Sequence, residues 1–158
     1  MMQERFQLAQ VAEIIDTSPQ TIKGWLHRDL VVGHAAMVEG GADTGRRRSF
    51  SVHALMQMAV IKALLDIGLR NDALARDAST VFAHLGKSSA GWVGEPMELR
   101  GQRLPGLPFH PSIGRTFIEV TMDGARVKKE SELRSVLQAA SVLVNVSLMS
   151  VICIPPTW

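Results

Sequence analysis

Apolar side chains recur at helical spacing through the first half of the chain, and the pattern predicts four helices. Leu8, Val11, Ala12 and Ile15 make the first stripe, which breaks at Asp16-Thr17. Ser18 follows as an N-cap, and Pro19 takes the first helical position, where its missing N–H costs nothing. A second helix therefore begins after only a tight turn. Its buried stripe is Ile22, Trp25 and Leu26, while Gln20, Thr21, Lys23, Gly24, His27 and Arg28 face outward. It ends at Asp29-Leu30. Gly33, Gly40, Gly41 and Gly45 interrupt any helix between residues 31 and 49, so a long exposed hairpin loop, or wing, is expected there. Ser51 can cap a third helix through Val52, Leu55, Met56, Ala59, Val60, Ala63, Leu64 and Ile67, stopped by Gly68. Asn71 or Asp72 can cap a fourth, through Leu74, Ala78, Val81, Phe82 and Leu85 to Gly86.

The pattern then changes. Ser88-Ser89, Gly91, Gly94, Pro96, Gly101, Pro105-Gly106, Pro108 and Pro111 crowd one stretch, which is expected to be a linker over residues 88–114. From Thr116 to Met122 the residues alternate, Asp123-Gly124 is a hairpin turn signal, and Ala125 to Lys128 can return as a second strand. Ser131 is expected to cap a helix carrying Leu133, Val136, Leu137 and Ala140, before a β-prone stretch from Val142 to Ile154. The expected fold is α+β: a mostly helical unit over residues 1–87, the linker, and a small ββαβ unit over 115–158.

Two short helices with a tight turn between them have helix-turn-helix geometry. The outward face of the second helix is rich in hydrogen-bond donors and carries no acid before Asp29. Short polar residues and Gly24 permit close approach to a major groove, where Lys23 and Arg28 can reach phosphates or a guanine edge. Arg46, Arg47 and Arg48 stand at the far end of the wing, placed to grip phosphates or a narrow minor groove; the plain alternative is a solvated charge run. Candidate DNA contacts are therefore Ser18, Gln20, Thr21, Lys23, His27, Arg28, Arg46, Arg47 and Arg48.

Composition narrows the alternatives. The formal net charge is only +2, so affinity for DNA has to come from clustered rather than net charge. One cysteine, Cys153, leaves no intrachain disulfide and no thiolate cluster, and it is expected to be a packed strand residue. The five histidines, His27, His34, His53, His84 and His110, are scattered without metal-ligand spacing, so no metal, cofactor or enzymatic activity is expected. No charged-then-apolar leader opens the chain, and residues 141–154 are too short and polar to span a bilayer, so a cytoplasmic protein without membrane contact is expected.

Residues from about Phe6 to Gly86 resemble the winged-helix DNA-binding domain of the MerR superfamily. Phe6-Gln7-Leu8-Ala9-Gln10-Val11-Ala12 is similar to its first helix, and Ser18-Pro19-Gln20-Thr21-Ile22-Lys23-Gly24-Trp25 to its recognition segment. Arg48-Ser49-Phe50 corresponds to a wing arginine followed by an aromatic, and Leu64-Leu65-Asp66-Ile67-Gly68-Leu69 to the close of a later helix. The resemblance implies that Thr21, Lys23, Arg28 and Arg48 contact DNA. The chain also departs from the pattern: Asp29 stands for the usual glycine, Gly24 for an aromatic or long polar residue, and the wing is longer. The long coiled coil through which such regulators usually pair is absent, since no heptads follow Ser88.

The combined expectation is a sequence-specific transcriptional regulator of double-stranded DNA, a repressor acting by site occupancy. It would be a homodimer through the C-terminal unit, which would oligomerise or sense an effector of unknown identity. Val142, Val144, Val146 and Leu148 would supply one apolar face, packed either on a second copy or on the chain's own N-terminal unit. An excisionase-like or architectural DNA-bending protein, and an interaction adaptor with a degenerate winged helix, are the alternatives.

Overall fold

In the computed structural model, residues 5–32, 49–85, 103–109, 111–133 and 142–146 are described. Strand β1 (Arg5–Gln7) leads into α1 (Leu8–Ile14) and α2 (Pro19–His27). Strand β2 (Ser49–Ser51) runs into α3 (Val52–Asp66), and α4 (Asp72–His84) follows. Strands β3 (Thr116–Thr121), β4 (Gly124–Lys129) and β5 (Val142–Asn145) complete an α+β fold. The wing, the stretch 134–140 and Cys153 lie outside the described residues.

Phe6 does not start the first helix. It pairs with Phe50 across the antiparallel β1–β2 ladder, and the helix begins only at Leu8, after the Gln10 side chain accepts from the Gln7 N–H at 2.7 Å. Ladder hydrogen bonding wins over helical propensity there. The other three helices start where their caps predict. Ser18 Oγ accepts from the Thr21 N–H at 3.0 Å, Ser51 Oγ from Ala54 at 3.2 Å and Asn71 Oδ1 from Leu74 at 3.1 Å.

Three helices close themselves by one device. After α1, α2 and α3, the residues Asp16, Asp29 and Gly68 take φ of 52°, 60° and 96°. The next N–H then reaches back to the third-last carbonyl: Thr17 to Ala12 at 2.9 Å, Leu30 to Trp25 at 3.0 Å and Leu69 to Leu64 at 3.0 Å. These are Schellman closures, two of them built on aspartate in a conformation that usually favours glycine.

Helix α3 is apolar on nearly every face and contributes the most residues to the described core. Ala54, Leu55, Met56, Met58, Val60, Ile61 and Leu64 are all buried, and so is the one amide among them, Gln57. The last residues of the expected stripes behave differently: Ile67 is 57% and Leu85 56% exposed, because each lies past the last helical turn. Ile22, Trp25, Leu26 and Phe50 pack into the same core with Ala75, Ala78 and Phe82 of α4.

The C-terminal sheet runs in the order β4-β3-β5, antiparallel throughout. Its inner face, with Ile118, Val120, Val144 and Val146, joins that core against α4. Thus Val144 and Val146 are buried within the chain. The hairpin turn falls one residue earlier than Asp123-Gly124: Thr121 pairs with Gly124, leaving Met122-Asp123 as the loop, and Gly124 absorbs a φ of 134°. Ser131 is likewise not a helix cap. It lies inside a 3-10 turn, Glu130–Glu132, where the Glu132 carboxylate accepts from the Lys129 N–H at 2.8 Å.

The end of α4 is closed from a distance. Arg103, only 7% exposed, threads its guanidinium to the Phe82 carbonyl at 2.7 Å, Val81 at 2.9 Å and Leu85. It also donates to Leu107 at 3.1 Å and Leu104 at 3.2 Å, and stacks 5.0 Å over the Phe82 ring. The Gly106 N–H donates to Phe82 as well, at 2.9 Å. A cation at a helix C-terminus complements the exposed carbonyls, and here it also satisfies them one by one.

Candidate nucleic-acid interface

The local sequence of α2 sets out the interface. The cap at Ser18, the proline at the first position and the Schellman closure at Asp29 fix both ends of a nine-residue helix. Ile22 at 0%, Trp25 at 3% and Leu26 at 5% exposure anchor one side in the core. That anchoring leaves Ser18, Gln20, Thr21, Lys23, His27 and Arg28 all exposed on the other, with Gly24 half-buried between them. Six of the nine expected contact residues therefore share one solvent face; Arg46, Arg47 and Arg48 lie outside the described residues.

The six differ in what already holds them. The Ser18 and Thr21 hydroxyls bond to each other at 2.8 Å, so both belong first to the cap. Arg28 pairs with Asp72 in the first turn of α4, Nη1 lying 3.1 Å from Oδ2 and 3.3 Å from Oδ1. This exposed pair contributes little stability, but it ties the end of α2 to the start of α4 and places a carboxylate beside a candidate phosphate contact. Gln20, Lys23 and His27 make no hydrogen bond or ion pair among the described residues. Among the described residues nothing holds their donors back from a ligand.

Behind this face lies a polar group that helical patterning alone does not reveal. Gln57 sits wholly buried between α3, α4 and the chain leaving α2. In one orientation its amide donates to the Leu30 carbonyl at 3.3 Å and to Thr80 Oγ1 at 3.3 Å, with Oε1 at 3.1 Å from His84 Nε2. Turned over, it accepts from the Val32 N–H at 2.9 Å and donates to the Val32 carbonyl at 3.3 Å and to His84 Nε2 at 3.1 Å. Burial, and secondarily His53 with its ring centroid 6.1 Å away, lowers the His84 imidazole below its ordinary range. His53 Nδ1 is itself buried with no hydrogen-bond partner among the described residues, and it faces the open side of Gly106. The sequence does carry one signal of this group: a lone amide inside Ala54-Leu55-Met56-Gln57-Met58-Ala59-Val60-Ile61.

Among the described residues no three His, Cys, Asp or Glu side chains could hold a metal ion, and no helix is long and apolar enough to cross a membrane. Residues 6–77 match the family model described as MerR HTH family regulatory protein. That segment is a MerR-type helix-turn-helix domain, the domain of DNA-binding transcriptional regulators, and no family model matches the C-terminal part. Neither the curated proteins nor the solved structures contain a match to the chain.

Proposed function

We propose that this chain, with its MerR-type domain over residues 6–77, is a sequence-specific regulator that represses transcription by occupying its site as a dimer. The observation that carries it is the exposed face of α2, where Gln20, Lys23 and His27 have no partner among the described residues, on a helix capped at its start and closed at its end. Such a face presents donors to base edges from a fixed scaffold. Arg28 and the wing arginines 46–48 serve as phosphate contacts around it, Arg28 exchanging Asp72 for a phosphate oxygen. Occupancy rather than promoter remodelling is favoured by the lack of heptads after Ser88. One module reads only a short site, which is the physical reason for a twofold partner.

The test is selection of bound sequences from a random DNA pool with the full chain. An enriched inverted repeat supports a dimeric regulator, and a single half-site points instead to a monomeric or DNA-bending protein. No enrichment overturns the assignment in favour of an interaction adaptor. Lys23→Ala should weaken preference for the selected site, whereas replacing Arg46, Arg47 and Arg48 together should weaken binding to all DNA and flatten its salt dependence.

A further inference from the structure

We propose that Gln57 is a positioning residue for DNA recognition, a buried amide that holds the chain leaving α2 and so fixes the end of the recognition helix against α4. The inference rests on the function proposed above. Its basis is that both orientations of the amide arrive at the same connection. One grips Leu30 and Thr80, the other Val32 twice and His84; each joins the exit of α2 to α4 through the middle of α3.

The placement gives this connection leverage. Leu30 is the residue whose N–H closes α2 onto Trp25, and Val32 is the last described residue before the segment that carries Arg46, Arg47 and Arg48. Leu30 is only 1% exposed, so water is poorly placed to replace an amide withdrawn from its carbonyl. Beside the exposed Arg28–Asp72 pair, the Gln57 amide is a buried side-chain strut from the exit of α2 to α4. A helix that must meet base edges needs a fixed orientation on its core, because a small misplacement loses direct contacts to base edges while leaving diffuse attraction to phosphates intact.

Gln57→Met keeps the length and apolar packing of the side chain but removes its donors and acceptor. With the full chain, the expected result is a roughly tenfold loss of preference for the selected site over random duplex, with affinity for random duplex unchanged. The cost of Lys23→Ala should shrink in the Gln57→Met background, since a helix no longer held cannot deliver its lysine. A Gln57→Met chain that keeps wild-type site preference, or whose effect simply adds to that of Lys23→Ala, overturns the inference while leaving the proposed function standing. A wild-type chain that selects no site removes both. If Gln57→Met does not fold, Gln57→Glu serves as the second variant: its carboxylate still accepts from Val32 but cannot donate. A partial loss of site preference supports the inference, and wild-type site preference overturns it.

Discussion

Helices α1, α2 and α3 end on their own residues, whereas α4 ends on residues about twenty positions further along. Asp16, Asp29 and Gly68 each turn the chain so that the next N–H closes the helix behind it. Among the described residues nothing local does so at Leu85, and the carbonyls of Val81, Phe82 and Leu85 are taken by Arg103, with Gly106 adding a second bond to Phe82. The first kind of ending is self-contained and costs some backbone strain. The second makes the MerR-type domain's last packed helix depend on a segment outside the family match.

That contrast can be broken most severely at Arg103. Arg103→Met should destabilise the chain by about 3 kcal/mol, because it strips the part-buried carbonyls of Val81, Leu104 and Leu107 of their donor and removes the cation stacked on Phe82, and a lower urea midpoint at constant slope would register it. Burial pushes the guanidinium down to about 10, yet its carbonyl ligands favour the charged form, so it stays a cation at neutral pH and the loss should be pH-independent there. Gly106→Ala should cost about 1–2 kcal/mol in the same assay. Its Cβ would lie 3.2 Å from His53 Nδ1 on a backbone with φ of 76°.

Smaller effects test the local endings. Ser18→Ala should cost about 1 kcal/mol and no more, the value of one cap. Stability should also fall on acidification. The folded His84 imidazole titrates below its ordinary 6.5, so the unfolded chain takes up its proton first. The decline therefore begins near that pH and levels once the folded ring is protonated too; His84→Phe should flatten this part of the pH–stability curve. Asp29→Gly should stabilise by about 0.5 kcal/mol, relief of the left-handed aspartate being partly offset by added freedom in the unfolded chain. A destabilisation in thermal melts would mean that Asp29 has a role beyond the turn.

What could be read from the sequence follows the same division. The caps at Ser18, Ser51 and Asn71 were legible because donor and acceptor lie three residues apart, and the exposed face of α2 because one turn fixes which side Ile22 and Trp25 occupy. The hairpin was legible in outline, but its turn moved one residue because glycine was needed beside the loop and not within it. Phe6 was misplaced since its partner, Phe50, lies across the wing. Gln57 and Arg103 were missed for a related reason: their partners sit 18–27 positions away, apart from Leu104 and Leu107, and no local pattern encodes such a separation.

The Arg103 closure also imposes an order on the making of the molecule. A chain emerging from the ribosome exposes α1, α2 and α3 complete with their endings, but α4 emerges with its final carbonyls open. They stay open until residues 103–107 have cleared the exit tunnel, so the finished last turn and the Phe82 side of the core must wait for that later segment. The segment that matches the MerR-type model is therefore translated first, but its last helix is completed only with residues 103–107, which couples the appearance of its mature form to synthesis of the part that no family model covers.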